Sequence, residues 1–296
     1  MSLRTLLLLV LGVPLLVLGA AAATGQRIIL PEWGRDYVLR FAVAGGGLRL
    51  ELPKVAGPDD PTRPLVVIDA GHGGRDPGAI GADDTGGRFE EKDITLALAK
   101  GLRDELLASG SFRVALTRED DRILALSDRP EIARKLGADL FISIHADSAG
   151  ERDGVQGASI YTLSNAASSE AAARFAAREN NADVVNGLVV AGQSAVVSTI
   201  LVELAQQRTQ DEAARFAELV LREGEGVLAF VAQPRRAAAL AVLRAPDVPS
   251  VLFESGFVTN AADRARLTTP QGRKAYAAVL ARAIRVYFAR RDAEAG

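Results

Sequence analysis

Only two histidines occur in the chain, and each follows an apolar run that reads as a buried strand. His72 comes after LVVID in Asp69-Ala-Gly-His-Gly-Gly, and His145 comes after LFISI in Ile144-His-Ala-Asp147. In an open α/β sheet the carboxyl ends of the strands form the edge at which ligands bind. A lone imidazole at that edge is more often a structural group bonded to backbone, but both histidines of a chain at such positions point to a site. Gly71, Gly73 and Gly74 let the backbone turn sharply beside His72. Two imidazoles invite a third nitrogen or oxygen, because a catalytic zinc takes three protein ligands and leaves one position to water. Glu90 and Glu91, at the start of a helix, are the candidates, and their plainer role is to complement the positive end of the helix dipole. Glu254 ends the strand SVLF and precedes Ser255-Gly256-Phe257, so it belongs on the same edge. A carboxylate there is costly unless used or paired, which makes it a natural general base. Asp69 and Asp147 are candidates to orient the imidazoles, with capping or turn roles as the alternative.

These residues need elements that bring them together. Apolar runs at 65–68, 113–116, 140–144, 158–161, 239–243 and 250–253 read as strands. Helical periodicity appears at 94–108, 130–136, 167–177, 212–231 and 271–290. Continuous apolar strands alternating with helices predict a three-layer αβα fold around a mostly parallel six-stranded sheet. The stretch from Thr162 to Ala239 exceeds a plain crossover, and its helical material at about 178–210 reads as an insertion. Upstream, 37–43 and 48–52 read as a small hairpin, and the GPDDPTRP run at 57–64 as a linker. The first 23 residues carry Arg4, an apolar core from Leu6 to Leu18 and alanines at 20–23, the pattern of a cleaved export signal rather than a stable membrane anchor. The expected organisation is therefore a signal at 1–23, a hairpin and linker at 24–63, a catalytic domain at 64–291 and a tail at 292–296.

Composition narrows the chemistry. The chain's 296 residues, 48% hydrophobic and 24% charged, suit a globular protein with a sizeable core. A net charge of −2 supplies no cationic field, so nucleic acid is not an expected partner. With no cysteine, thiolate nucleophiles, thiolate zinc sites and lipoprotein anchoring are excluded. Any metal must be held by His, Asp or Glu. Ser255 lies in E-S-G-F, not in a G-x-S-x-G turn, so serine hydrolysis would leave the paired histidines unexplained.

The runs VVIDAGHGGRDPGAIG, EEKDITLALA, TRED, SDRPEIARKLGADLFISIHAD and VLFESGFVTN, in that order over about 64–290, resemble the zinc-dependent N-acetylmuramoyl-L-alanine amidases of the Amidase_3 type. The resemblance implies one zinc ion per chain held by His72, Glu91 and His145, with Glu254 as catalytic acid and base. It implies hydrolysis of the amide between the lactyl group of N-acetylmuramic acid and the L-alanine of the stem peptide in peptidoglycan. A zinc peptidase acting on other substrates and a non-catalytic cell-wall binding protein are the rival readings. The insertion, ARENNADVVNGLVV followed by SAVVSTILVELAQQ, is similar to that of the Gram-negative cell-division amidases. That likeness implies a periplasmic enzyme kept inactive by Glu179 as a blocking acid and released by an activator with a LytM-like domain; the plainer role of Glu179 is a solvated acid at a helix end. Val196, Val197, Ile200, Leu201 and Leu204 share one helical face, a stripe suited to covering the cleft, docking a partner or packing as core.

Overall fold

The structure, a computed structural model, describes residues 50–149, 154–185 and 199–295. The expected signal at 1–23, the hairpin except for 50–52 and the side chains of the apolar stripe lie outside the described residues. Residues 50–52 belong to no strand.

Eight strands are described: β1 (Leu65–Ala70), β2 (Ile80–Ala82), β3 (Arg88–Glu90), β4 (Arg113–Leu116), β5 (Leu140–His145), β6 (Ala158–Leu163), β7 (Phe230–Ala238) and β8 (Ser250–Glu254). Six form the central sheet in the order β4-β1-β5-β8-β6-β7, and β2 pairs with β3 in a separate antiparallel hairpin. Within the large sheet β8 and β6 pair antiparallel while the other neighbours are parallel. Every residue of β1, β5 and β8 is buried, as strands covered on both faces must be.

Helices α1 (Glu91–Leu107), α2 (Asp128–Leu136), α3 (Glu170–Glu179), α4 (Ala182–Val185), α5 (Thr199–Gly224), α6 (Ala261–Thr268) and α7 (Pro270–Ala295) complete the fold. On one face Leu98 and Leu102 of α1, Phe216 of α5 and Leu280 and Ile284 of α7 pack on Val66, Ile68 and Ile142. On the other, Ile132 of α2 and Phe175 of α3 pack on Val67, Phe141 and Leu252. The result is the expected three-layer α/β architecture. Phe175 also stacks on Tyr161 at 4.5 Å between ring centroids, which fixes α3 over the β6 end of the sheet.

Two local expectations change. The fifth apolar run, 239–243, is not a strand: Ala241–Leu243 forms a 3₁₀ turn, and the strand is β7, immediately before it. β7 carries Pro234, Arg235 and Arg236, a sequence tolerated because it lies at the sheet edge, where proline costs no ladder bond. The register against β6 slips between Ala158 and Ile160, which accommodates the proline in a bulge. The preceding helix ends at Gly224, not near 231, and Gly226 follows with φ +71°. At the opposite edge, Ala56 pairs antiparallel with Val114, so part of the segment before the expected linker covers β4.

Candidate active site

His72, His145 and Glu254 sit at the carboxyl ends of β1, β5 and β8, and the sheet order makes these three strands neighbours. β5 and β8 align His145 directly with Glu254. The fourth component comes from the β2–β3 hairpin, which leads straight into α1. Glu90 closes β3 and turns outward to Arg88 and Lys92, at 3.0 and 3.6 Å. Glu91 begins α1 and turns inward, 2% exposed. Its Oε1 accepts from the Ala146 N–H at 2.8 Å and its Oε2 from the Ala79 N–H at 2.8 Å. The adjoining acids thus separate into a surface pair and a site residue.

The imidazoles face Glu91 and a second acid brought by α3. Glu91 Oε1 stands 3.1 Å from both His72 Nε2 and His145 Nδ1. Glu179 Oε2 stands 3.6 and 3.3 Å from the same two nitrogens, and Glu179 is buried. Tetrahedral coordination with bonds of about 2.0–2.1 Å separates neighbouring ligand atoms by about 3.3–3.4 Å. The four observed separations bracket that value. His72 Nε2 is buried with no hydrogen-bond partner among the described residues. Burial alone would lower the proton affinity of His72, but Glu91 and Asp76 outweigh it and hold the imidazole well above its ordinary value. Buried nitrogens and carboxylates that draw positive charge this strongly are chemically suited to a metal cation.

The loop that presents His72 is held tightly. His72 adopts φ +61°, a left-handed conformation that is rare and strained for a residue other than glycine. Arg129 Nη2 donates to its carbonyl at 2.8 Å, while Thr95 Oγ1 and Arg118 Nη2 donate to the Gly71 carbonyl at 2.9 Å each. A Cβ on Gly71 would lie 2.5 Å from His145 Nε2, and one on Gly78 would lie 2.6 Å from Glu91 Oε2. Both positions therefore require glycine.

The two acids expected to orient the imidazoles lie elsewhere. Asp69 is fully buried and accepts from Thr117 at 2.6 Å, Arg129 at 2.8 Å and Ser143 at 2.7 Å, so it organises the loop through Arg129. Asp147 pairs with Arg178 at 2.5 Å. The residue that takes the outer nitrogen of His72 is Asp76, whose Oδ2 lies 2.9 Å from Nδ1. Sequence reasoning missed it because an acid inside GGRDPG looks like a turn residue. The one available signal was its four-residue spacing from His72.

Glu254 is 3% exposed. Its Oε2 accepts the Asp147 backbone N–H at 3.0 Å, and its Oε1 has no hydrogen-bond partner among the described residues. Burial first, then the nearby charges of Asp147, Glu91 and Glu179, push its carboxyl well above the usual range. Burial likewise pushes Asp147 up to about 6, with Arg178 opposing. A carboxylate with raised proton affinity and one uncommitted oxygen is suited to accept a proton and return it.

Known proteins share both sequence and fold with this chain. The family model for N-acetylmuramoyl-L-alanine amidase matches residues 66–286. The N-acetylmuramoyl-L-alanine amidase AmiA of Escherichia coli (strain K12) is 37% identical over 225 residues, 76% of this chain and 76% of that protein. AmiC of Neisseria meningitidis serogroup B is 36% identical over 228 residues, which cover 76% of this chain and 53% of that protein. Among solved structures, AmiC2 of Nostoc punctiforme, an N-acetylmuramoyl-L-alanine amidase, aligns with a TM-score of 0.53 at 27% identity over 76% of this chain and 97% of its own. Sequence match, sheet topology and the cluster at the strand ends agree: the chain belongs to the N-acetylmuramoyl-L-alanine amidase family.

Proposed function

We propose that the chain is a zinc-dependent peptidoglycan amidase that hydrolyses the bond between the lactyl group of N-acetylmuramic acid and the L-alanine of the stem peptide. The observation that carries this reading is the convergence of His72, His145 and Glu91 beside a buried Glu254 whose Oε1 has no hydrogen-bond partner among the described residues. His72, Glu91 and His145 would hold one zinc ion, which when bound supplies Lewis acidity to the amide carbonyl and to a water molecule. Asp76 fixes the ring of His72 through Nδ1, so that Nε2 faces the site. Glu254 takes the proton of the attacking water on Oε1 while the Asp147 N–H holds Oε2, then returns that proton to the departing amine. Its burial keeps the proton within the pair of reacting groups.

Glu179 is the self-inhibitory element in this reading. Its carboxylate lies against both imidazole nitrogens, where water or substrate must come, and a fourth protein ligand converts an open metal site into a closed one. The resemblance of the insertion to that of the Gram-negative cell-division amidases is the ground for reading a role in septal cell-wall splitting in the periplasm, with α3 withdrawn by an activator carrying a LytM-like domain. Mass spectrometry of material released from purified sacculi tests the activity. Glu179→Ala with zinc should release free stem peptides without any partner, whereas the wild type alone should release few. Intact sacculi from both proteins, or equal release by both, would refute the respective claims.

A further inference from the structure

The insertion brings two charged side chains to the centre. Beside Glu179, whose Oε2 faces the imidazoles, Arg178 places Nη2 2.5 Å from Asp147 Oδ1 and 3.2 Å from Glu179 Oε1. Asp147 adjoins the general base through its own backbone N–H, which donates to Glu254 Oε2 at 3.0 Å. An anion thus lies against the metal-ligand nitrogens while a cation lies against the acid beside Glu254.

Amide hydrolysis generates the same pair of charges. The C–N bond breaks, the carbonyl carbon keeps the water oxygen, and both water protons end on the nitrogen, giving a carboxylate and an ammonium group. The carboxylate forms at the metal side and the ammonium at the side of Glu254, which delivers its proton. We propose that Asp147 is the subsite for this amine: it holds the nascent ammonium of the leaving stem peptide, and Arg178 occupies that subsite in the inhibited chain. α3 is then a mimic of both halves of the product.

Burial supports this assignment. The side chain of Asp147 is 12% exposed, whereas that of Arg178 is 51% exposed. The guanidinium can leave for water at little cost, but the carboxylate it leaves behind needs another cation. Arg178 is the cationic side chain within 4.0 Å of Asp147 among the described residues. A substrate that delivers an ammonium after bond cleavage restores the pairing at the moment of product formation, an interaction stronger late in the reaction than in the ground state.

The proposal rests on the amidase reading, and its test separates the two. The protein is zinc-loaded Glu179→Ala, and the probes are the dipeptide L-Ala-γ-D-Glu and its N-acetylated form, with affinities measured by calorimetry. A charge-assisted contact should make the free amine bind about tenfold more tightly than the acetylated peptide. Asp147→Asn in the same background should bring the two affinities within twofold, and Asp147→Glu should restore a preference. Asp147→Ser serves as a second neutral variant should the asparagine chain fail to fold. In turnover, Asp147→Asn should lower kcat more than it raises KM. Equal affinities for the two peptides in Glu179→Ala, or an undiminished preference in Asp147→Asn, overturn the proposal. Absence of peptide release from sacculi by Glu179→Ala refutes the amidase reading instead, because the binding preference is read without turnover.

Discussion

Glu254 combines two properties that carboxylates rarely hold together, full burial and an oxygen with no hydrogen-bond partner among the described residues. Burial first, then the surrounding acids, raise its proton affinity well above that of an ordinary glutamate. As a base it must be ionised. The acidic limb of kcat/KM, measured in Glu179→Ala, should therefore fall well above pH 4.5, the ordinary value for a glutamate. Glu254→Gln should keep its zinc and melting temperature but lose about two to four orders of magnitude in kcat. Loss of zinc from that variant would make Glu254 a ligand instead. Asp76 makes the complementary prediction: Asp76→Asn should weaken zinc binding about 10–100-fold, read by competition with a chelator, while Glu254 chemistry persists in the loaded protein. The positions of His72, His145 and Glu254 were legible in sequence because a polar residue at the end of an apolar strand is conspicuous. Asp76 was not, since acids are ordinary in glycine- and proline-rich loops and only folding brings its carboxylate to the imidazole. The choice between Glu90 and Glu91 was equally hidden, because neighbouring helix-start acids differ only in the direction each points.

At the scale of elements, the loop after β1 is positioned by groups that are themselves fixed. Asp69 and Arg129 form a buried ion pair at 2.8 Å, and the same guanidinium donates to the carbonyls of Ala70 and His72. Removing one partner of a buried pair strands the other charge and costs about 3–5 kcal/mol. Asp69→Asn should lose about that much in urea unfolding at pH 7. The pH dependence has a definite sign. Burial opposes ionisation of Asp69, but Arg129, Thr117 and Ser143 outweigh it and hold its carboxyl below the ordinary value of 3.8. Its contribution is therefore fully present above that value and declines as pH falls through the folded-state value. The deficit of Asp69→Asn against wild type should narrow in acid, and a deficit unchanged down to pH 2 would exclude this account. The central strands were readable because burial on both faces forces continuous apolar sequence. β7 was not, because an edge strand escapes that constraint and its proline and two arginines look like a loop. The β2–β3 hairpin was hidden in the same way, by Asp83, Gly86 and Gly87 in its turn, where Asp83 accepts the N–H groups of Thr85 and Gly87.

For the molecule as a whole, the cluster ties together elements distant in sequence. β1 supplies His72 from its following loop, α1 supplies Glu91, β5 supplies His145, and α3, at the start of the insertion, supplies Glu179. A cation at their centre would bind the folded chain and not the unfolded one, so its binding free energy adds to folding stability. The size of that addition depends on how many elements contribute a ligand. If the proposed reading holds, Glu179 would make the insertion part of the metal site in wild type, whereas in Glu179→Ala the cation would be left to the other three residues. Stripping zinc should therefore lower the melting temperature in both proteins, by more in wild type. Hydrogen exchange localises the difference. On chelation, amides at 170–179 should lose protection in wild type, while in Glu179→Ala their protection should be lower than in the zinc-loaded wild type and the same with or without zinc. Those of β1 and β5 should remain protected throughout, since their ladder bonds and apolar faces do not depend on the cation. Chelation shifts of equal size in the two proteins, together with unchanged exchange at 170–179, would mean that α3 is held by packing of Phe175 on Tyr161 and by the Arg178–Asp147 pair alone, and that Glu179 is no ligand.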